Sequence, residues 1–173
     1  MRGARVSVDK WILGKAGKKA VEEELRQRNI CAQLTSGPRR RMNLIVRSKT
    51  GREFRIKVSA KQQRYWPQCK GIAGENVFLV LVDFGNKSDN DRPDFYVLTS
   101  DDWRTFSGAH IKEYESKHPD SRVELTDDNV SIFRDQINRH GETYQGCCPQ
   151  AKEIQEHREA WRKIEGALSA PQP

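Results

Sequence analysis

The sequence has no long apolar stretch, and this absence bears on where the protein resides. A membrane-spanning helix needs about 20 consecutive apolar residues, and no segment of the 173-residue chain has that pattern. The opening segment, MRGARVSVDK, also lacks the apolar core and small-residue cleavage site of a signal peptide. We therefore expect a cytoplasmic protein.

Cysteine is scarce, with residues only at positions 31, 69, 147 and 148. Four such residues do not make a disulfide framework, so we expect free thiols in a reducing compartment. The side chains of His140, Cys147, Cys148 and His157 could ligate a metal, but no CxxC pair accompanies them, and we predict no metal site there. The chain also lacks a GxxxxGK[ST] phosphate loop and any cysteine motif typical of a nucleophile.

Acidic residues are too few to balance the basic ones. There are 31 Lys and Arg residues against 24 Asp and Glu, which gives a formal net charge of +7 and a pI near 9.4. Most of the excess lies before Lys70, in runs at 15–19, 39–41 and 52–61. This distribution favours a polyanionic partner, although a positive charge also promotes solubility.

Periodicity in the first hundred residues predicts an α/β fold with a mixed central sheet flanked by helices. Helical spacing predicts a helix from Asp9 to Arg28, in which Gly14 and Gly17 allow close packing on a sheet. A short strand at 30–35 is followed by a β-hairpin, 42–48 and 52–60, around Lys-Thr-Gly. The apolar run 77–84 predicts a strand buried on both faces, and 94–99 predicts another that leads into a helix capped by Thr99 or Ser100.

The remaining third of the chain has weaker signals. Apolar spacing predicts a short helix within 126–139, an irregular segment at 141–149 and a final helix over 150–170. The length fits one domain, 1–170, with a core at about 7–118 and a helical C-terminal extension at about 119–170.

Three stretches carry a family resemblance: GKAGKKAVEEELRQRNI, RRRMNLIV and REFRIKVSA. They resemble, in turn, the Gly-containing first helix, the aspartate strand and the Glu/Gln-x-Lys strand of the PD-(D/E)XK nucleases, the restriction-endonuclease-like and resolvase-like group. The order helix, strand, hairpin, buried strand, strand, helix is also similar to that family's core. RPDFYVLTSDDW resembles its later strand and helix. The resemblance implies a nuclease-like fold and DNA as the partner.

The positions that the resemblance assigns to catalysis carry different residues here. Asn43 stands at the aspartate position, Lys57 at the Glu or Gln position, and Ser59 at the lysine position. Carboxylates are needed there to hold a divalent cation beside the phosphodiester, and the ammonium group of Lys57 would repel it. The resemblance therefore implies a degenerate site with no bound metal.

Other carboxylates leave an active enzyme open as an alternative. The first helix offers Glu22, Glu23 and Glu24, and a shifted alignment of the strands would add Glu53. In that case the protein would be a Mg²⁺-dependent endonuclease with non-standard site residues; otherwise we expect no cofactor.

Candidate nucleic-acid contacts cluster around the hairpin. Arg39, Arg40 and Arg41 follow a Ser-Gly-Pro turn and can donate paired hydrogen bonds to phosphates. Lys57, Lys61 and Arg64 could extend the same basic patch. Tyr65 and Trp66 could stack on bases or belong to the core.

These observations predict a DNA-binding protein on a PD-(D/E)XK-like fold that lacks ordinary metal-dependent cleavage. We expect a binding, specificity or scaffolding role in bacterial-type restriction, mobile-element or phage-related DNA processing, as a homodimer or with a partner subunit. A third alternative is a protein–protein adaptor whose positive charge meets an acidic partner.

Overall fold

The structure is a computed structural model that describes residues 9–35, 43–85, 87–88, 91–137 and 140–171. Its elements, in chain order, are α1 (Lys10–Gln27), β1 (Ala32–Leu34), β2 (Leu44–Arg47), β3 (Glu53–Lys61), β4 (Val77–Asp83), β5 (Asp94–Thr99), α2 (Ser100–Lys117), β6 (Val123–Leu125), β7 (Ser131–Ile137), β8 (Thr143–Gln145), a 3-10 helix (Ala151–His157) and α3 (Arg162–Ser169). Within the described ranges, no helix has the length and apolar character needed to cross a membrane.

The central sheet has five strands in the order β1-β2-β3-β4-β5. Strands β3 and β4 are parallel, and the other neighbouring pairs are antiparallel. The predicted hairpin is confirmed, because β2 and β3 pair in a register that joins Leu44 to Ile56 and Arg47 to Glu53. Gly51 takes a φ of +84° in the turn, a conformation that glycine adopts without strain. The predicted fold class, a mixed sheet flanked by helices, is confirmed.

Each face of the central sheet supports its own apolar core. The inward side of α1 packs on one face with residues of α3, and this core includes Val21, Ile56 and Trp161. The other face packs against Trp103 of α2 and Trp66 of the segment that joins β3 to β4. Six of the seven residues of β4 are buried, as expected for a strand covered on both faces.

Helix α1 lies directly over the sheet at one glycine. Asp9 caps its first turn by accepting a hydrogen bond from the Trp11 N–H at 2.9 Å. A Cβ atom at Gly17 would lie 2.8 Å from the Cβ of Ala60 in β3, so only glycine permits this approach. The same role predicted for Gly14 is wrong, because a Cβ there would meet nothing within 4 Å.

The C-terminal third differs from the prediction. The helix expected within 126–139 is instead strand β7, which pairs with β6 and β8 in a three-stranded antiparallel sheet. Part of the segment predicted as irregular forms β8. The final helix is divided into the 3-10 helix and α3, because Arg158 is extended and Glu159 has a φ of +53°. Where the sequence predicted a helical extension, three strands therefore precede two helical segments.

Candidate nucleic-acid interface

The three positions that the resemblance singles out, Asn43, Lys57 and Ser59, lie on β3 and next to the start of β2. Continuing the β2–β3 register by one residue places Asn43 opposite Lys57. Lys57 and Ser59 pair with Leu79 and Leu81 of β4, so they share the sheet face that points away from α1. The predicted arrangement of Asn43 beside Lys57 is thus present. The residues on this face of the two strands carry an amide, an ammonium and a hydroxyl group.

The ammonium group of Lys57 is held by backbone. Its Nζ donates hydrogen bonds to the carbonyl oxygens of Lys70, at 2.7 Å, and Gly71, at 3.0 Å. These bonds tie β3 to the segment that leads into β4. Lys57 therefore contributes a fixed positive charge at the position where the resemblance places a metal-binding side chain.

A buried thiol lies beside this cluster. Burial raises the pKa of Cys69 to about 11, although the Ser59 hydroxyl and the Lys57 charge act in the opposite direction. The backbone of Cys69 pairs with that of Cys147, whose thiol pKa is also raised by burial. Both thiols are therefore protonated near neutral pH, and neither has the thiolate character of a nucleophile.

The histidine and cysteine residues considered as metal ligands lie in different parts of the structure. Burial lowers the pKa of His157, as does the nearby charge of Lys163, whose Nζ lies 2.9 Å from the His157 Nδ1. Lys163 also donates to Asp102 at 2.7 Å, so this histidine belongs to a packed network between helices. His140 is exposed and Cys148 lies 3.2 Å from the Tyr144 hydroxyl. Across the part of the chain that the structure describes, no three His, Cys, Asp or Glu side chains are grouped to hold a metal.

The carboxylates of α1 face basic partners or solvent. Glu24 is buried and accepts hydrogen bonds from Arg92, at 2.6 and 2.9 Å, and from Arg28, at 2.6 Å. These bonds, led by those of Arg92, hold the pKa of Glu24 below its ordinary value although burial opposes them. Glu23 pairs with Arg26, and Glu22 is exposed. Glu24 thus anchors α1 to the chain before β5.

The carboxylate at the start of β3 is also paired. Glu53 forms an ion pair with Arg47 across the β2–β3 hairpin. Glu53 therefore supplies a cross-strand contact near the turn, four residues before Lys57 on the same face of β3.

One predicted contact residue is buried. Lys61 is only 5% exposed, and its Nζ donates to the Asp83 carboxylate at 2.5 Å and to the Gln63 carbonyl at 3.0 Å. The same Nζ lies 4.5 Å from the ring centroid of Trp66, which is itself fully buried. The prediction that Lys61 extends an exposed patch is wrong, because the parallel β3–β4 register places Asp83 beside it.

The other predicted contacts have separate outcomes. Arg64 is exposed and its Nε donates to the Gln150 side chain at 3.2 Å. Tyr65 is exposed beside it. Arg39, Arg40 and Arg41 lie outside the described residues.

A basic surface on α1 went unrecognised as a site in the sequence. Trp11 and Ile12 are 66% and 53% exposed, and Lys15 and Lys19 follow at one-turn intervals on the side away from the buried Val21. We call Trp11, Ile12, Lys15 and Lys19 the α1 basic face. Lys15 Nζ lies 5.4 Å from the Trp11 ring centroid. The spacing Trp11, Lys15, Lys19 could have revealed this surface, because residues four positions apart are neighbours along one side of a helix.

Some exposed basic side chains of the described residues form ion pairs, and others, on α1 and elsewhere, do not. Arg26, Arg47, Arg92, Arg134 and Arg158 all form ion pairs with carboxylates. Among the described residues, Lys10, Lys15, Lys18 and Lys19 have no such ion pair. The α1 basic face and its two flanking lysines therefore present positive charge at the surface, with the Glu23 carboxylate near Lys19.

A surface cavity lies elsewhere, at the start of α2. It has a volume of about 490 Å³, and its lining includes Ser100, Asp101, Arg104, Asn129 and Lys163. Acidic and basic side chains alternate there, and none of the predicted contact residues belongs to it. The cavity does not favour one class of charged ligand.

The comparisons with known proteins leave the family open. Protein-family models, curated proteins and solved structures show no match to this chain.

Proposed function

We propose that this protein binds nucleic acid, with DNA as the expected partner, and does not perform ordinary metal-dependent cleavage. The observation that supports this proposal most directly is the α1 basic face, whose exposed lysines form no ion pair among the described residues, on a chain of net charge +7. Lysines that neutralise phosphates release condensed counterions, and this release supplies much of the free energy of nucleic-acid binding.

The resemblance to PD-(D/E)XK nucleases adds a second argument for DNA. The element order from α1 to α2 is the order on which the resemblance rests. Nucleic-acid binding needs only the basic surface, so this part of the proposal does not require the family's carboxylates.

The proposed lack of cleavage rests on the donor groups at the degenerate positions. Asn43 and Ser59 offer neutral oxygens, and Lys57 adds a cation, held by two backbone carbonyls, on the same face of the sheet. A Mg²⁺ ion prefers carboxylate oxygens, and a neighbouring ammonium group disfavours it. We therefore propose a binding, specificity or scaffolding role in restriction, mobile-element or phage-related DNA processing.

A combined gel-shift and nuclease assay tests this proposal. Plasmid DNA and short labelled duplexes are incubated with the protein in the presence of Mg²⁺ or of a chelator. We expect a shifted complex in both conditions and no cleavage above that of a buffer control. Replacing Arg39, Arg40 and Arg41 by Ala tests the sequence-predicted patch and should weaken the complex.

Two results would contradict the proposal in different ways. Cleavage that the chelator abolishes, and that Glu23→Gln or Glu24→Gln removes, would establish the endonuclease alternative. Absence of any shifted complex at low salt would leave the adaptor alternative, in which the positive charge meets an acidic protein.

A further inference from the structure

We infer that the α1 basic face binds unpaired nucleotides, with Trp11 stacking on a base while Lys15 and Lys19 contact the adjoining phosphates. This inference rests on the proposed function and makes it more specific. It names the substrate class as DNA that exposes unpaired bases, such as a duplex with a single-stranded overhang.

Trp11 is the first observation that supports base stacking. The other three tryptophans, Trp66, Trp103 and Trp161, are at most 2% exposed, whereas Trp11 is 66% exposed. An exposed indole forgoes the free energy that burial would supply. Stacking on a base recovers it, and such contacts stabilise complexes by about 1–3 kcal/mol per base. The bases of a continuous duplex are already stacked, so unpaired nucleotides are the better fit.

The row of lysines supplies the matching charge. Successive positions at Trp11, Lys15 and Lys19 lie about 6 Å apart along the helix axis, since each residue advances about 1.5 Å. Lys15 already lies over the Trp11 ring, 5.4 Å from its centroid. A base stacked on the indole would therefore bring its phosphate close to an ammonium group, and Lys19 would continue the row along the strand.

A membrane surface fits this helix less well than a nucleic acid. Helices that lie in a lipid interface insert a broad apolar side, but the apolar side of α1, with Val21 and Leu25, is buried against the central sheet. The outward side has two large apolar residues, Trp11 and Ile12, among lysines. Charge and aromatic character together favour a strand with accessible bases.

Intrinsic fluorescence can report on this site because Trp11 is the exposed tryptophan. Titration with a short oligothymidylate should quench tryptophan emission to saturation in the wild-type protein. Trp11→Ala should remove this quenching and weaken oligothymidylate binding about tenfold, which corresponds to about 1.4 kcal/mol. Trp11→Leu keeps an apolar side chain that cannot stack, and it should lose affinity to a similar extent.

The lysines are tested with a charge-matched control. Lys15→Gln with Lys19→Gln should weaken binding and make the salt dependence shallower by about 1.4 in log–log slope, about 0.7 for each lost contact to a single strand. Lys112→Gln with Lys152→Gln removes the same charge from exposed positions outside α1 and should leave binding unchanged. Equal effects of the two double variants would contradict a specific role for the α1 basic face.

Failure of this inference can be told apart from failure of the proposed function. If blunt duplex binds but Trp11→Ala binds oligothymidylate like the wild type, the inference is wrong and nucleic-acid binding stands. If neither duplex nor oligothymidylate binds, the proposed function fails as well. A blue shift of Trp11 emission with vesicles of phosphatidylserine and phosphatidylcholine, without quenching by oligothymidylate, would assign the face to a membrane instead.

Discussion

Gly17 is the residue at which the packing of α1 depends on the absence of a side chain. A Cβ there would lie 2.8 Å from the Ala60 Cβ, which is fixed to the strand backbone. We expect Gly17→Ala to lower the free energy of unfolding by about 1–3 kcal/mol through overpacking. Urea denaturation followed by circular dichroism measures this change.

Gly14 is the matched control in the same helix. A Cβ at this position would meet nothing within 4 Å, so Gly14→Ala gains helix propensity without a clash. We expect stabilisation of up to about 1 kcal/mol. Equal stabilisation by Gly17→Ala would show that α1 does not approach β3 as closely as described.

Glu24 makes stability depend on pH in a defined direction. Hydrogen bonds from Arg92 hold its pKa below the ordinary value of 4.5 in the folded protein. The unfolded chain therefore binds a proton at higher pH than the folded chain does. Its stabilising contribution is present above about pH 4.5 and is lost as pH falls through the lower folded pKa.

The substitution Glu24→Gln removes this contribution. We expect a loss of about 1–2 kcal/mol near neutral pH, which is modest because Arg92 is half exposed and solvent screens the pair. Unfolding free energies measured from about pH 6 down to about pH 3 should decline less steeply than in the wild type. Glu22→Gln, at an exposed neighbouring position, is the control. An unchanged slope in Glu24→Gln would contradict the ion-pair assignment.

Among the elements, α2 begins with a reciprocal cap that the sequence signalled. The Thr99 hydroxyl accepts a hydrogen bond from the Asp102 N–H at 3.2 Å, and the Asp102 carboxylate accepts from the Thr99 N–H at 2.7 Å. We expect Thr99→Ala to destabilise the protein by about 1 kcal/mol in thermal or urea unfolding, and Thr99→Ser to retain most of the stability. A Thr99→Ala protein as stable as the wild type would show that the cap contributes little.

The elements that the sequence predicted well are those whose local signals agree with their tertiary surroundings. Helix α1 has both an Asp cap and helical spacing, and the apolar run of β4 matches a strand covered on both faces. Strand β7 was missed because Ile132, Phe133 and Ile137 fit a helical period as well as a strand. What decides between them is pairing with β6 and β8, the strands directly before and after β7, which the periodicity of the segment alone does not show.

At the candidate site, too, the accuracy of each prediction depended on how far apart in sequence the contacting residues lie. Lys61 was predicted at the surface because its partner, Asp83, lies 22 residues later and meets it only through parallel pairing. The exposure of Trp11 was not evident from the helical period, because at 3.6 residues per turn it lies on the same side of the helix as Leu25 rather than opposite it. Asn43 and Lys57 could be placed together because a hairpin register is set by its turn.

At the scale of the whole molecule, the distribution of charge is more informative than its total. Buried and half-buried ion pairs, such as Arg92 with Glu24, fix the chain before β5 to α1. The α1 basic face instead presents lysines to solvent without carboxylate partners among the described residues. We therefore expect nucleic-acid affinity to depend on this helix and to fall strongly as salt concentration rises.

The most direct test is the salt dependence of affinity for a labelled duplex with a single-stranded overhang, measured by fluorescence anisotropy. Each phosphate contact contributes about 0.7 to 0.9 to the slope of log affinity against log salt concentration. We predict a linear fall in affinity with a slope steeper than about −2, and a shallower slope for Lys15→Gln with Lys19→Gln. Absence of binding at low salt, or binding that salt does not weaken, would contradict the account.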